Sequence, residues 1–163
     1  MTAVPAIELL VIDALSQAFE SIDFIDYGVE SSPRIFKRAL DGADPNISIG
    51  VTFSGWEPQE NANISGWEPA MATYSFVIQT LIKHTKREDG EHLGAVLANR
   101  LRRMLYRDQD LRISLYSISV LSGELHERVI RIRVDRQECV DTAFKGGFAF
   151  MSSTDFRVTT EIA

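Results

Sequence analysis

Apolar positions divide the chain into helical and extended segments. From Val4 to Ile22 they fall at Val4, Ile7, Leu10, Val11, Ala14, Leu15, Ala18, Phe19 and Ile22. Steps of three and four draw one stripe on a helix, and Pro5 stands in the first turn, where a missing N–H costs nothing. The same spacing predicts a major helix from Glu88 to Asp108, with Leu93, Val96, Leu97, Leu101, Met104 and Leu105 in its stripe. Glu88, Asp89 and Glu91 open that helix, and Arg100, Arg102, Arg103 and Arg107 close it. That order suits the helix dipole at both ends. A short extra helix is expected after Ser32-Pro33, with Ile35, Phe36, Ala39 and Leu40 at helical spacing and Asp41-Gly42 as its stop.

The extended segments alternate. After the Asp44-Pro45-Asn46 turn, Ile47, Ile49, Val51 and Phe53 alternate with Ser48, Gly50 and Thr52. Ala72 to Lys83 carries Tyr74, Phe76, Ile78 and Ile82 on one face and Val77 and Leu81 on the other, the pattern of a central strand. Leu111, Ile113 and Leu115 alternate before Tyr116, Ile118 and Val120 take over, which predicts a strand with a bulge near 115–116. Ser122-Gly123-Glu124 is a hairpin turn, followed by Ile130, Ile132 and Val134 alternating with Arg131, Arg133 and Asp135. Lys145-Gly146-Gly147 is a turn; Phe148 and Phe150 form a short strand, and Phe156, Val158, Thr160 and Ile162 a last one. The order predicts a single α+β domain over residues 1–163. Its sheet is mostly antiparallel, its two main helices and short extra helix pack on one face, and residues 57–68 and 141–147 are its flexible segments.

Composition narrows the function classes. The 163 residues are 45% hydrophobic, enough for one core. Seventeen basic against 23 acidic residues give a net charge of -6, which disfavours a free-standing nucleic-acid binder. The single cysteine, Cys139, excludes a disulfide framework and a cysteine-based zinc site. No apolar run approaches the ~20 residues of a membrane span, and the N-terminus lacks a basic n-region, so an intracellular protein is expected. There is no GxGxxG, GxxxxGK[ST] or GxSxG motif, and His84, His92 and His126 have no HExxH spacing. Carboxylates cluster in turns and helix ends, where capping accounts for them. The local chemistry therefore points to no enzyme, metal or cofactor.

The surface is more informative. Ser54-Gly55-Trp56-Glu57-Pro58 recurs as Ser65-Gly66-Trp67-Glu68-Pro69, eleven residues later. Two roles are open to these tryptophan turns: covering a sheet edge within the subunit, or contacting another chain. Arg100, Arg102, Arg103, Tyr106 and Arg107 crowd one helix end, Arg131 and Arg133 one strand face, and Phe144 and Lys145 a glycine-hinged segment. All are candidate interface residues.

Several of these segments, in their order, resemble the tail terminator proteins of long-tailed bacteriophages, particularly the actinobacterial-phage type. The resemblance runs from about residue 5 to the C-terminus. It is carried by Asp44-Pro45-Asn46 leading into Ile47-Ser48-Ile49-Gly50-Val51, by Trp56-Glu57-Pro58, and by Pro69 leading into Tyr74-Ser75-Phe76-Val77-Ile78-Gln79. Arg100-Leu101-Arg102-Arg103-Met104-Leu105-Tyr106-Arg107-Asp108 followed by Leu111-Arg112 is its most distinctive stretch. Glu127-Arg128, Arg131, Arg136-Gln137 and the closing Phe156-Arg157-Val158-Thr159-Thr160-Glu161 also fit. The resemblance implies a non-enzymatic virion subunit without metal or cofactor, forming a homo-oligomeric ring, a hexamer. The ring caps the head-proximal end of the tail tube, stops tube polymerisation and docks the head connector, and DNA passes through its lumen without specific binding. The implied location is the virion tail, and the host cytoplasm during assembly. A head-completion or neck protein is the alternative, and a small oligomeric intracellular enzyme the second. A closing ring needs opposite patches on opposite flanks; the arginine groups are candidates for one flank, and the Asp41–Asp44 turn and Glu88–Glu91 helix end for the other. Gln59–Ile64 and Asp141–Gly147 would reach the tube or connector.

Overall fold

A computed structural model describes residues 6–22, 32–59, 71–144 and 146–163. Among these residues, three helices, α1 (Ile7–Phe19), α2 (Arg87–Arg107) and α3 (Gln109–Tyr116), accompany six strands. The strands are β1 (Arg34–Phe36), β2 (Ile47–Pro58), β3 (Met71–His84), β4 (Ser119–Ser122), β5 (Leu125–Phe144) and β6 (Gly147–Ile162). They form one sheet in the order β1-β2-β3-β6-β5-β4. Only β1 and β2 pair parallel; every other pair is antiparallel. The chain is thus an α+β fold with a mixed, mostly antiparallel sheet.

The core lies between the helices and one face of the sheet. Val11, Leu15 and Phe19 of α1, Leu97 and Leu101 of α2 and Leu115 of α3 are fully buried there. They meet Ile49 and Val51 of β2, Phe76 and Ile78 of β3, and Phe156 and Val158 of β6. Each such side chain contributes roughly 1.5–3 kcal/mol by leaving water. The alternation read in β3 has its even positions on this face, while Leu81 is buried on the opposite face against Leu40 and Ala149. β3 is central, between β2 and β6.

Several local expectations are overturned. Residues after Ser32-Pro33 form strand β1, with Arg34, Ile35 and Phe36 paired to Ser48, Ile49 and Gly50. Ile35 packs on the helix-side core and Phe36 on the cluster across the sheet, so the two neighbours part to opposite faces as a strand requires. Residues 111–115 form α3 instead of a strand. Leu111 and Leu115 are buried one turn apart, Ile113 is exposed, and the Asp108 carboxylate accepts the Leu111 N–H at 2.9 Å as an N-cap. Finally, the two short C-terminal strands are one strand, β6, joined through Ser152 and Thr154. These buried hydroxyls bond Thr80 Oγ1 and the Gln137 amide respectively.

The first tryptophan motif is not a turn. β2 continues through Trp56 to Pro58, with a bulge between Phe53 and Gly55. Asp141 to Phe144 is likewise strand, paired with Phe150 to Gly147, and Gly146 turns at φ 100°. Val4, Pro5, residues 60–70 with Trp67 and the segment expected as a loop, and Lys145 lie outside the described residues.

Candidate assembly interface

Sheet topology places two open edges on opposite flanks. β1 pairs only with Ser48, Ile49 and Gly50, so Val51 to Pro58 of β2 have no outer strand partner among the described residues. β4 pairs only with Leu125 to Arg128 of β5, and the Val129 N–H donates to the Ile118 carbonyl at 3.1 Å. From Ile130 to Phe144, β5 has no outer strand partner among the described residues. Unpaired backbone N–H and C=O rows of this kind are templates for another strand.

The β5 flank gathers most of the candidate arginines on two faces. On the helix side, α2 packs on β3 and β6 and lies with one flank along β5. Arg102 Nη1 donates to Gln137 Oε1 at 3.0 Å, and Gln137 Nε2 donates to the Ala98 carbonyl at 3.1 Å. Further along, Arg87 Nη2 lies 3.2 Å from Asp141 Oδ2. Between α2 and β5 opens a groove of about 400 Å³ lined by Glu91, Gly94, Cys139, Asp141 and Phe150. Gly90 and Gly94 let α2 press on Phe150: a Cβ on either would stand 2.5 Å or 2.9 Å from that side chain. Arg103, Tyr106 and Arg107 are exposed near the end of α2, and Arg100 is half-buried. Tyr106 borders Ile132 and Val134.

Across the sheet, Arg131 and Arg133 are exposed on the face without helices, opposite Thr159 and Arg157. Asp135 sits in a second β5 bulge, between Val134 and Arg136. It pairs with Arg133 and, at 2.6 Å, with Arg157; Arg136 pairs with Glu138. The two arginine groups therefore share a flank but not a face. The acidic start of α2 lies on this same flank, because Arg87 meets Asp141 and Glu91 lines the groove. It is not opposite the arginines, because α2 runs lengthwise along β5. Phe144 ends β5 with its backbone opposite Gly147.

The β2 flank carries aromatics. Trp56 is 49% exposed and Phe53 38% exposed, both on the helix side of the open edge. Phe53 stacks obliquely on Phe76 and Tyr74, with ring centroids 5.7 and 6.2 Å away. The Tyr74 hydroxyl, beside the Trp56 indole, donates to Glu127 Oε1 at 2.5 Å. Burial, reinforced by the Glu127 carboxylate, pushes the Tyr74 hydroxyl well above the ordinary tyrosine range. Trp56 thus stands beside Tyr74 on one side and is open on the other. Sequence reasoning misses the role of Phe53, which reads there simply as the last apolar position of a strand.

Of the acidic turn, Asp41 is exposed but Asp44 is buried and occupied. Arg38 reaches it with two bonds, at 2.6 and 3.0 Å, and the Asp41 N–H donates to it at 2.7 Å. Arg38 above all holds the carboxyl at about 2. Among the described residues, no three His, Cys, Asp or Glu side chains are grouped to hold a metal ion, and no helix is long and apolar enough to cross a membrane.

No protein-family model matches the sequence, and no curated protein matches it. Among solved structures, a chain from the virion of a native gene transfer agent particle aligns over 92% of this chain and 93% of its own length. Its TM-score is 0.44 at 12% identity. A second solved chain aligns over 94% of each, with TM-score 0.34 at 8% identity. Both likenesses are too distant to carry a function.

Proposed function

We propose that this chain is a structural subunit of a virion that assembles into a closed ring of identical copies. In the finer form of this reading it is a tail terminator. A hexameric ring caps the head-proximal end of the tail tube, ends its polymerisation and offers its far face to the head connector. The observation that carries the reading is the pair of open edges. β2, β3, β6 and β5 form an all-antiparallel run of four strands, so β2 and β5 point in opposite directions. A second copy set beside the first continues the alternation without a break. The joining surfaces differ, β2 edge against β5 edge, which is the heterologous contact a ring requires. The motif order shared with tail terminators supports the specific role. A net charge of -6 per copy suits a channel through which DNA slides without neutralisation of its phosphates.

The test is electron microscopy of the purified chain, alone and mixed with the tail-tube protein of the same virus. Rings seated on one end of tubes, with tubes no longer elongating, are the expected result. Rings that bind only the head connector would move the protein one ring towards the capsid. A chain that stays monomeric and leaves tube growth untouched would refute the reading.

A further inference from the structure

We propose a specific seam between neighbouring copies: residues Thr52 to Glu57 of one pair antiparallel with Arg136 to Val140 of the next, Glu57 lying opposite Arg136. The inference rests on the ring reading only in taking the neighbour to be a second copy. Three independent features select the occupant and the register.

The faces must match first. If the sheet continues, helix-side positions of the β2 edge, Phe53 and Trp56, must lie beside helix-side positions of the β5 edge. Those are Gln137, Cys139 and Asp141, opposite Thr154, Ser152 and Phe150. This parity excludes every register shifted by one residue. Charge decides among the rest. Glu57 and Arg136 both project on the helix-free face, and setting them opposite places Gly55 against Glu138. Glu138 then gains no carboxylate directly across from it. A shift of two residues would instead oppose Glu57 to Glu138 or to Val134–Asp135, where β5 is bulged. Shape agrees. In this register Trp56 adjoins Gln137, where Arg102 supplies a guanidinium for the indole. Across the bulge at Ser54, Phe53 adjoins Cys139 at the mouth of the groove of about 400 Å³. The exposed parts of both aromatics then cover the trough between α2 and β5. Backbone bonds would supply the affinity and the seated side chains the specificity.

The seam is tested by cross-linking. In a Cys139→Ser background, Glu57→Cys with Arg136→Cys puts one cysteine on each flank of the full-length chain. Within one copy the two positions are separated by β3 and β6, so a disulfide between them must be intermolecular. Oxidation at high protein concentration, or on tail tubes, is expected to give a ladder of multimers ending at the ring size on non-reducing gels. Either cysteine alone should give nothing beyond dimers. Rings seen by microscopy without a ladder would overturn the seam and leave the ring standing. Neither ring nor ladder, with tail tubes present, would overturn both. As a second measurement, Phe53→Asp should abolish ring formation while the melt falls only by the loss of its ring contacts with Phe76 and Tyr74, circular dichroism below the melt showing the chain still folded. Rings that persist in that variant would also overturn the seam.

Discussion

Gly90→Ala should destabilise this protein, although alanine is the better helix former. The residue lies in the first turn of α2 and is buried. A Cβ there would stand 2.5 Å from Phe150 Cε2 and 2.9 Å from His84 Cβ. Carbon atoms in contact prefer roughly 3.5–4.0 Å, so Phe150 would have to move by about 1 Å. Phe150 is 7% exposed and belongs to the core, so a movement of that size disturbs its neighbours. Overpacking of this kind costs about 1–3 kcal/mol. Relief of the glycine backbone entropy returns up to about 1 kcal/mol, less near a helix end. The net expectation is a loss of about 1–2 kcal/mol, read as a shift in the midpoint of urea unfolding followed by circular dichroism. The contact itself is isolated by repeating the substitution in a Phe150→Ala background. There the ring is gone and only His84 Cβ crowds the new methyl, so the cost of Gly90→Ala should shrink by at least about 1 kcal/mol. An equal cost in both backgrounds, or a gain of about 1 kcal/mol in the original protein, would refute the argument that α2 is pressed on β6 through Phe150.

Other expectations follow from single side chains. Asp108→Ala removes the N-cap of α3 and should cost about 0.5–2 kcal/mol in denaturant unfolding; no loss would mean the cap bond is idle. Tyr74→Phe removes the hydroxyl that donates to Glu127 and should lower stability by about 1–2 kcal/mol in denaturant unfolding; no loss would mean that bond is idle. Asp44 titrates at about 2 against an ordinary 3.8. A lowered carboxyl stabilises fully above its unfolded value, and that stabilisation is lost as the pH falls through the folded value. Arg38→Gln removes the main cause of the lowering: carbon NMR should place the Asp44 midpoint near 2 in the original chain and closer to 3.8 in the variant.

Legibility in the sequence depends on whether local pattern and tertiary context agree. α1, α2 and β3 carry long unbroken periodicities; the pattern marks the buried face in α2 and β3, while in α1 that face is turned towards Ile12 and Ser16 and leaves Leu10, Ala14 and Ala18 at its margin. Segment 111–115 has only three alternating apolar residues, and a spacing of two is also half a spacing of four. The capping carboxylate of Asp108, three residues before Leu111, is the signal that decides for a helix. β1 is three residues long and exists because β2 offers it an edge, a circumstance no local pattern records. The same holds for the candidate site. Arg102 and Arg133 stand out by type and density, but their separation onto two faces of one flank depends on α2 running along β5. Phe53 gives no signal beyond its place in an alternation, since what distinguishes it is the missing strand beside β2.

Open edges are aggregation hazards, and each edge here is interrupted. β2 bulges between Phe53 and Gly55, and β5 bulges between Val129 and Arg131 and again between Val134 and Arg136. Bulges and charges blunt an edge against indiscriminate pairing. On β5 the charges are spread along the helix-free face, with Arg128 bound to Glu161, Arg133 and Arg157 to Asp135, and Arg136 to Glu138. A foreign apolar strand laid along that edge would strip water from these ion pairs and offer them no polar group in return. A strand that brings a carboxylate opposite Arg136, and nothing opposite Glu138, meets less resistance. The β2 edge of another copy has that pattern, Glu57 with Gly55 two residues before it. In the proposed ring, the devices that blunt the free subunit's edges also select its neighbour, so edge protection and ring assembly become two outcomes of one arrangement of charge and backbone.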